Sequence, residues 1–176
     1  LGILKNKLLI LFFQNMERNA YKESDVIVTP SESHKKYMIE RFNIPAQKIN
    51  VVPHWIDIKC FDAAKRTGRF RKLYGLEDKF IFIFGGVISP GKGLDFFIRA
   101  AEKLQKYKDL VFLFVGEGSG KKQLVDLAIA KKLENIMFKP LVSGEDYRLL
   151  LKDCDVGVLA LAPKNTTPAV PAKLMG

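Results

Sequence analysis

Residues 80–98 read FIFIFGGVISPGKGLDFFI, and the fold turns on how that stretch is parsed. Phe80 to Phe84 is an unbroken apolar run that enters two glycines, Gly85 and Gly86. A short polar loop then delivers Gly91-Lys92-Gly93 into an amphipathic stretch from Leu94 to Leu104. Apolar strand, glycine turn and helix are the parts with which a parallel α/β sheet presents backbone N–H groups and a helix N-terminus to an anion. Lys92 adds a full positive charge there. The stretch is therefore expected to bind the diphosphate of a nucleotide.

The same alternation continues downstream. A helix is expected over Lys92–Lys106, a strand over Leu110–Val115, the turn Gly116-Glu117-Gly118, and a helix from Ser119 to about Lys132. Asn135–Lys139 reads as a strand, Ser143–Lys152 as a helix, Asp155–Ala160 as a strand, and Ala162–Pro171 as a turn-rich loop. Strands alternating with helices of this length predict right-handed βαβ units and a Rossmann-like parallel sheet, an α/β fold. Runs such as VFLFV imply strands buried on both faces. Upstream, residues 1–22 read as a helix and Asp25–Thr29 as a short strand. Ser31 or Ser33 can cap a helix running to about Phe42, and Lys48–Val52 reads as a second strand. Residues 58–78 are polar and basic, which suits a crossover or linker with a short helix. Ligands of such sheets bind beyond the carboxyl ends of the strands. There lie Gly85–Gly93, Gly116–Gly118 and Leu159–Lys173, with Lys139-Pro140-Leu141 placed to wall a base pocket.

With 176 residues, 48% hydrophobic and 27% charged, the composition is that of an ordinary globular chain, with room for one full domain and part of another. It reads as a piece of a longer protein. Cys60 and Cys154 lack metal-ligand spacing and read as reduced packing residues. The net charge of +10 comes from lysines scattered in ones and twos, without a zinc-finger, helix-turn-helix or RNA-binding pattern. Nucleic acid is thus not an expected partner, whereas some attraction to acidic lipids is. No apolar run reaches the roughly 18–20 residues of a membrane span. The LLILFF segment at residues 8–13 can rest on a membrane surface or pack on further protein.

Gly86-Val-Ile-Ser-Pro-Gly91-Lys92-Gly93 nearly spells the G-x-x-x-x-G-K-[ST] loop of ATPases and GTPases, but Gly93 stands where the magnesium-holding hydroxyl belongs. The G-x-G-x-x-G dinucleotide fingerprint is absent. A lysine in the first turn of a helix opposes the helix dipole by roughly 0.3–1 kcal/mol, so Lys92 sits better with a bound anion than without one. Glu117 reads equally as a turn residue or a ligand contact. Lys173, beyond a proline-rich loop, reads equally as a second phosphate contact or a surface lysine. His34 and His54 have no paired base or nucleophile and read as structural.

Together these stretches resemble the family-four retaining glycosyltransferases, which have the two-Rossmann-domain GT-B architecture. SDVIVTPSESHKKYMIERFNIPAQKINVVPHWID is similar to the segment that ends that family's first domain. FGGVISPGKGLDFFIRAAEKL is similar to the glycine–lysine loop opening the second. FLFVGEGSGKKQL and IMFKPLVSGEDYRLLLKDCDVGVLAL are similar to the next two units. The resemblance implies that residues 1–58 end an N-terminal acceptor domain, 59–78 cross over, and 79–176 form a C-terminal nucleotide-sugar-binding domain. It implies transfer of a sugar from a UDP- or GDP-sugar to a glycan or lipid-linked acceptor with retention, in polysaccharide or glycolipid biosynthesis. The expected place is the cytoplasm, peripheral at the inner membrane face, with no cofactor and no metal.

By position, Lys92 is the implied catalytic residue, neutralising charge on the departing diphosphate. Gly85, Gly86 and Gly93 form the loop that lets the backbone approach it. Glu117, Lys139, Leu141 and Lys173 are the remaining implied substrate contacts. The chain departs from the family at Val87, where an arginine is usual, and in lacking the E-x7-E glutamate pair. VPAKLMG resembles instead the P-S-K-L variant of colanic-acid-type surface-polysaccharide transferases. A non-catalytic nucleotide-binding or assembly module of the same fold is the rival reading.

Overall fold

The structure, a computed structural model, describes residues 6–55 and 65–162 together with Lys59, Pro168 and Pro171. Its contacts divide the chain into two compact units, a smaller one of Leu1–Ile56 with Asn165–Gly176 and a larger one of Asp57–Lys164.

In the smaller unit, Asn6 caps helix α1 (Lys7–Glu23) by accepting from the Leu8 amide at 2.9 Å. Strand β1 (Ile27–Thr29) follows, then α2 (Glu32–Phe42) and β2 (Ile49–Val51). Ser31, rather than Ser33, is the α2 cap, accepting from the His34 amide at 3.2 Å. Asn43 ends that helix in the left-handed region at φ 54°. β1 and β2 pair in parallel with Ile27 opposite Ile49, and these two close a core with Met38 and Ile44. Lys48 fastens α1 to this core by donating to the carbonyls of Lys22 and Ser24, each at 2.9 Å. No α1 residue is buried, and Leu8, Leu11, Phe12 and Phe13 stand in solvent. No helix among the described residues is long and apolar enough to cross a membrane.

The larger unit runs α3 (Arg69–Tyr74), β3 (Phe80–Gly85), α4 (Asp95–Leu104), β4 (Leu110–Val115), α5 (Lys121–Ala130), β5 (Ile136–Lys139), α6 (Gly144–Asp153) and β6 (Val156–Gly157). All strand pairs are parallel, in the order β5-β4-β3-β6. Alternation along each strand sends side chains to two cores. Phe84, Phe112 and Phe114 meet α4 and α5 through Ile98, Ala101, Leu124 and Ala128. Ile81, Ile83, Leu113 and Val115 meet Phe70, Leu76 and Leu150 on the opposite face. Phe82 stacks on Phe112 at 5.2 Å and Phe114 on Phe138 at 5.0 Å, which ties neighbouring strands together on the first face. The α/β, doubly covered parallel sheet expected from the sequence is the one observed.

Most boundaries shift by one or two residues from expectation, and two in the larger unit shift further. The helix expected from Lys92 begins at Asp95, because Gly93 adopts φ 68° and separates it from a single 3₁₀ turn, Pro90–Lys92. The strand expected over Asp155–Ala160 pairs only at Val156 and Gly157, opposite Phe82 and Ile83. The stretch read as crossover with a short helix contains α3, whose Phe70 enters the core of the larger unit.

Candidate functional site

β4 and β5 lie to one side of β3 and β6 to the other, so the strand order reverses at β3. In open α/β sheets the crevice outside the carboxyl ends at such a reversal is where ligands bind. Here that edge is made by backbone. The Gly86 amide donates to the Val115 carbonyl at 2.8 Å, Ile88 to Glu117 at 2.8 Å, and Gly120 back to Ile88 at 3.0 Å. Gly116 in turn donates to the Lys139 carbonyl at 3.1 Å. The loops after β3, β4 and β5 are thereby stitched into one rim.

Glycine is required at the seams. Gly86 and Gly118 adopt φ 128° and 149°, in a region that side chains rarely tolerate. A β-carbon at Gly116 would run into the Gly86 carbonyl, and one at Gly118 into the Ile88 carbonyl. Gly93 lies under the segment after β6, where an added β-carbon would stand 3.2 Å from the Ala162 Cα. All four carboxyl-end loops thus touch through Gly86, Gly93, Gly116 and Lys139.

Lys92 occupies the 3₁₀ turn at this rim, its amide donating to the Ser89 carbonyl at 3.1 Å. Its half-buried side chain has no ion-pair or hydrogen-bond partner among the described residues. Glu117 is held locally, ion-paired to Lys121 at 2.6 Å. The Lys139 side chain turns to the α3 face and sits 4.6 Å above the Tyr74 ring, leaving its carbonyl at the rim. Leu141 and Val87 are exposed at the same edge. The space that a side chain at Gly85 would need is filled by Tyr147. Lys173 lies outside the described residues, as does Cys60. Among the described residues no cluster of three or more histidine, cysteine or carboxylate groups is placed to hold a metal. Cys154 is a free thiol that burial pushes up to about 12, as suits a packing residue.

Nothing in the sequence marks Tyr147 or Tyr74. Each occupies an apolar position of a helix and carries no motif; the doubled glycine Gly85-Gly86 was the available signal that something large approaches β3.

The rim falls within the region that matches the family model of glycosyl transferases group 1, residues 67–162, and residues 4–59 match that of glycosyltransferase family 4. The chain is 30% identical over 161 residues to WcaI of Escherichia coli K12, named as a colanic acid biosynthesis glycosyl transferase, covering 90% of this chain and 39% of that protein. It is 27% identical over 165 residues to an Escherichia coli UDP-Gal:alpha-D-GlcNAc-diphosphoundecaprenol alpha-1,3-galactosyltransferase, covering 88% and 41%. The chain thus spans about two fifths of the length of these relatives. Among solved structures, Anabaena HepE in complex with UDP-glucose superposes with a TM-score of 0.71 at 20% identity, covering 85% of this chain and 42% of that one. The fold is accordingly that of GT-B glycosyltransferases. With more than half of its residues inside the first match, and the glycine rim among them, the chain belongs to the glycosyl transferases group 1 family.

Proposed function

We propose that the chain is the donor-binding part of a glycosyltransferase that moves a sugar from a UDP- or GDP-sugar to a glycan or lipid-linked acceptor, with retained configuration. In this reading residues 1–58 end the acceptor domain, 59–78 cross over, and 79–176 grip the donor. The rim of stitched glycine loops at the strand reversal carries the reading: its backbone can approach a diphosphate closely, and Lys92 offers an uncommitted cation beside it. As the glycosidic bond to the donor phosphate breaks, negative charge grows on the departing diphosphate. A preorganised positive group at that place stabilises the transition state more than the ground state. The charge is assigned to Lys92 and to loop amides, with no metal or cofactor in the step. Gly85, Gly86 and Gly93 shape the cradle. Glu117, Leu141 and the backbone of Lys139 are assigned to the nucleoside side, and Lys173 to a second phosphate contact.

Complexes of HepE with UDP-glucose and the names of the relatives, which concern colanic acid and a lipid-linked diphosphate acceptor, support the substrate class. The relatives' names also support a part in polysaccharide or glycolipid synthesis, and a place at the cytoplasmic membrane face belongs to the same proposal. Replacing Lys92 with alanine in the full-length enzyme is expected to lower kcat/KM by about tenfold or more, the scale for a charge-stabilising group. Near-normal turnover would remove Lys92 from this role. Val87, exposed where the family's usual arginine would add a second cation, favours the rival non-catalytic module. Saturable nucleotide binding without turnover across a panel of UDP- and GDP-sugars would decide for that rival.

A further inference from the structure

Gly85 and Tyr147 are built around each other. Gly85 is the last residue of β3, and a β-carbon there would collide with the phenol oxygen, Cε2 and Cζ of Tyr147, the oxygen first. The tip of the ring therefore lies directly over the strand's carboxyl end. Its approach is fixed from α6: Ser143 caps that helix by accepting from the Asp146 amide at 3.1 Å, and the Tyr147 amide donates to the Ser143 carbonyl at 2.8 Å. The body of the ring packs on the core of Ile83, Val115 and Leu150.

The polar end behaves differently from the body. Burial raises the phenol above its ordinary pKa of 10, so at neutral pH the hydroxyl is an uncharged O–H donor. Tyrosine hydroxyls that are drawn into a structure usually find an acceptor. This one has none among the described residues. It stands where β3 separates β4 from β6, one residue before Gly86 and the loop that carries Lys92.

We infer that Tyr147 is a ligand-binding residue, its hydroxyl donating a hydrogen bond to the nucleoside diphosphate seated at the carboxyl end of β3. The inference rests on the donor-binding reading above and adds to it a neutral contact supplied by α6. It also gives Gly85 a second purpose, since only a residue without a side chain lets the phenol reach the rim.

Tyr147→Phe keeps the ring and removes only the O–H. Calorimetric titration of the full-length protein and this variant with UDP, GDP, uridine and guanosine tests the contact, with the ligand-free melting temperature as control. The expected result is an unchanged melting temperature and about tenfold weaker binding of the preferred diphosphate, the scale of a hydrogen bond to a charged acceptor. A loss shared by the free nucleoside puts the hydroxyl on the nucleoside, and a loss confined to the diphosphate puts it on phosphate; either supports the inference. Equal dissociation constants for the two proteins overturn it. If the wild-type protein binds neither UDP nor GDP, the donor-binding reading itself fails and the contact falls with it. Tyr147→Leu, which also removes ring atoms, is expected to lower the melting temperature, separating packing from contact.

Discussion

Asp153 shows how much of the larger unit hangs on single side chains far from the rim. Its carboxylate is fully buried at the end of α6 and accepts three backbone amides: Thr67 at 3.0 Å, Gly68 at 2.7 Å and Phe70 at 2.9 Å. The Gly68 and Phe70 amides are among the orphan donors at the start of α3, and Thr67 precedes its cap, so one helix's last residue caps another's first turn. Arg71 completes the clasp by donating to the carbonyls of Asp153 at 2.6 Å and Lys79 at 2.7 Å, and to the Asp155 carboxylate at 2.5 Å. Asp153→Ala is expected to strand three amides and cost about 3 kcal/mol in denaturant unfolding. Asp155 adds a pH dependence. Partial burial pushes its carboxyl up, but the Ile81 amide and the Arg71 and Arg66 guanidinium groups outweigh that and hold it below its ordinary 3.8. A depressed carboxylate stabilises the fold above the unfolded pKa, and that stabilisation drains as pH falls below 3.8 through the lower folded value. Asp155→Asn should therefore be less stable than wild type at pH 7, by about 2 kcal/mol, with the gap closing as pH falls below 3.8. A gap independent of pH would show that the charge contributes nothing.

Among the elements, the loops after β3 and β4 depend on each other. Gly116→Ala would drive a methyl into the Gly86 carbonyl and part the two loops. It is expected to lower the melting temperature and weaken nucleotide binding together. Gly144→Ala, with nothing within 4 Å of the added carbon at the start of α6, should leave both unchanged or raise stability slightly. Equal effects of the two substitutions would dispose of the stitched-rim account. The contrast also shows what could be read in the chain beforehand. Strands β3 and β4 announce themselves as apolar runs because they are buried on both faces, while the half-buried edge strand β5 shows a shorter run, and the glycine loops follow in order. The start of α4 is not legible in the sequence because a lysine and a leucine suit a helix locally, whereas Gly93 turns left-handed with the segment after β6 close against it. β6 pairs only at Val156 and Gly157, although β3 runs on to Gly85, and nothing in its apolar sequence marks where pairing ends. Asp153 and Arg71 look like any charged residues near helix ends; only the packed arrangement brings Arg71, Asp153 and Asp155 together.

For the molecule as a whole, two compact units with separate cores make unfolding a property of each unit rather than of the chain. The smaller rests on Ile27, Met38, Ile44 and Ile49, a two-stranded sheet and a helix none of whose residues is buried. The larger has a four-stranded sheet covered on both faces. Apolar burial scales the stabilisation, so the smaller unit has much less to set against its chain entropy. Scanning calorimetry of the 176-residue chain is expected to show two transitions, the smaller unit melting first. The rim and Tyr147 belong to the larger unit, so a nucleotide held by them, without Lys173, stabilises that unit. At a hundredfold excess over its dissociation constant it adds about 2.7 kcal/mol. For a domain of this size that moves the upper transition up by about 10 °C and leaves the lower one in place. One cooperative transition that moves bodily with UDP or GDP would contradict the division. A shift of the lower transition alone would place the nucleotide in the wrong unit, because ligand linkage reports which fold holds the ligand whatever the ligand's identity.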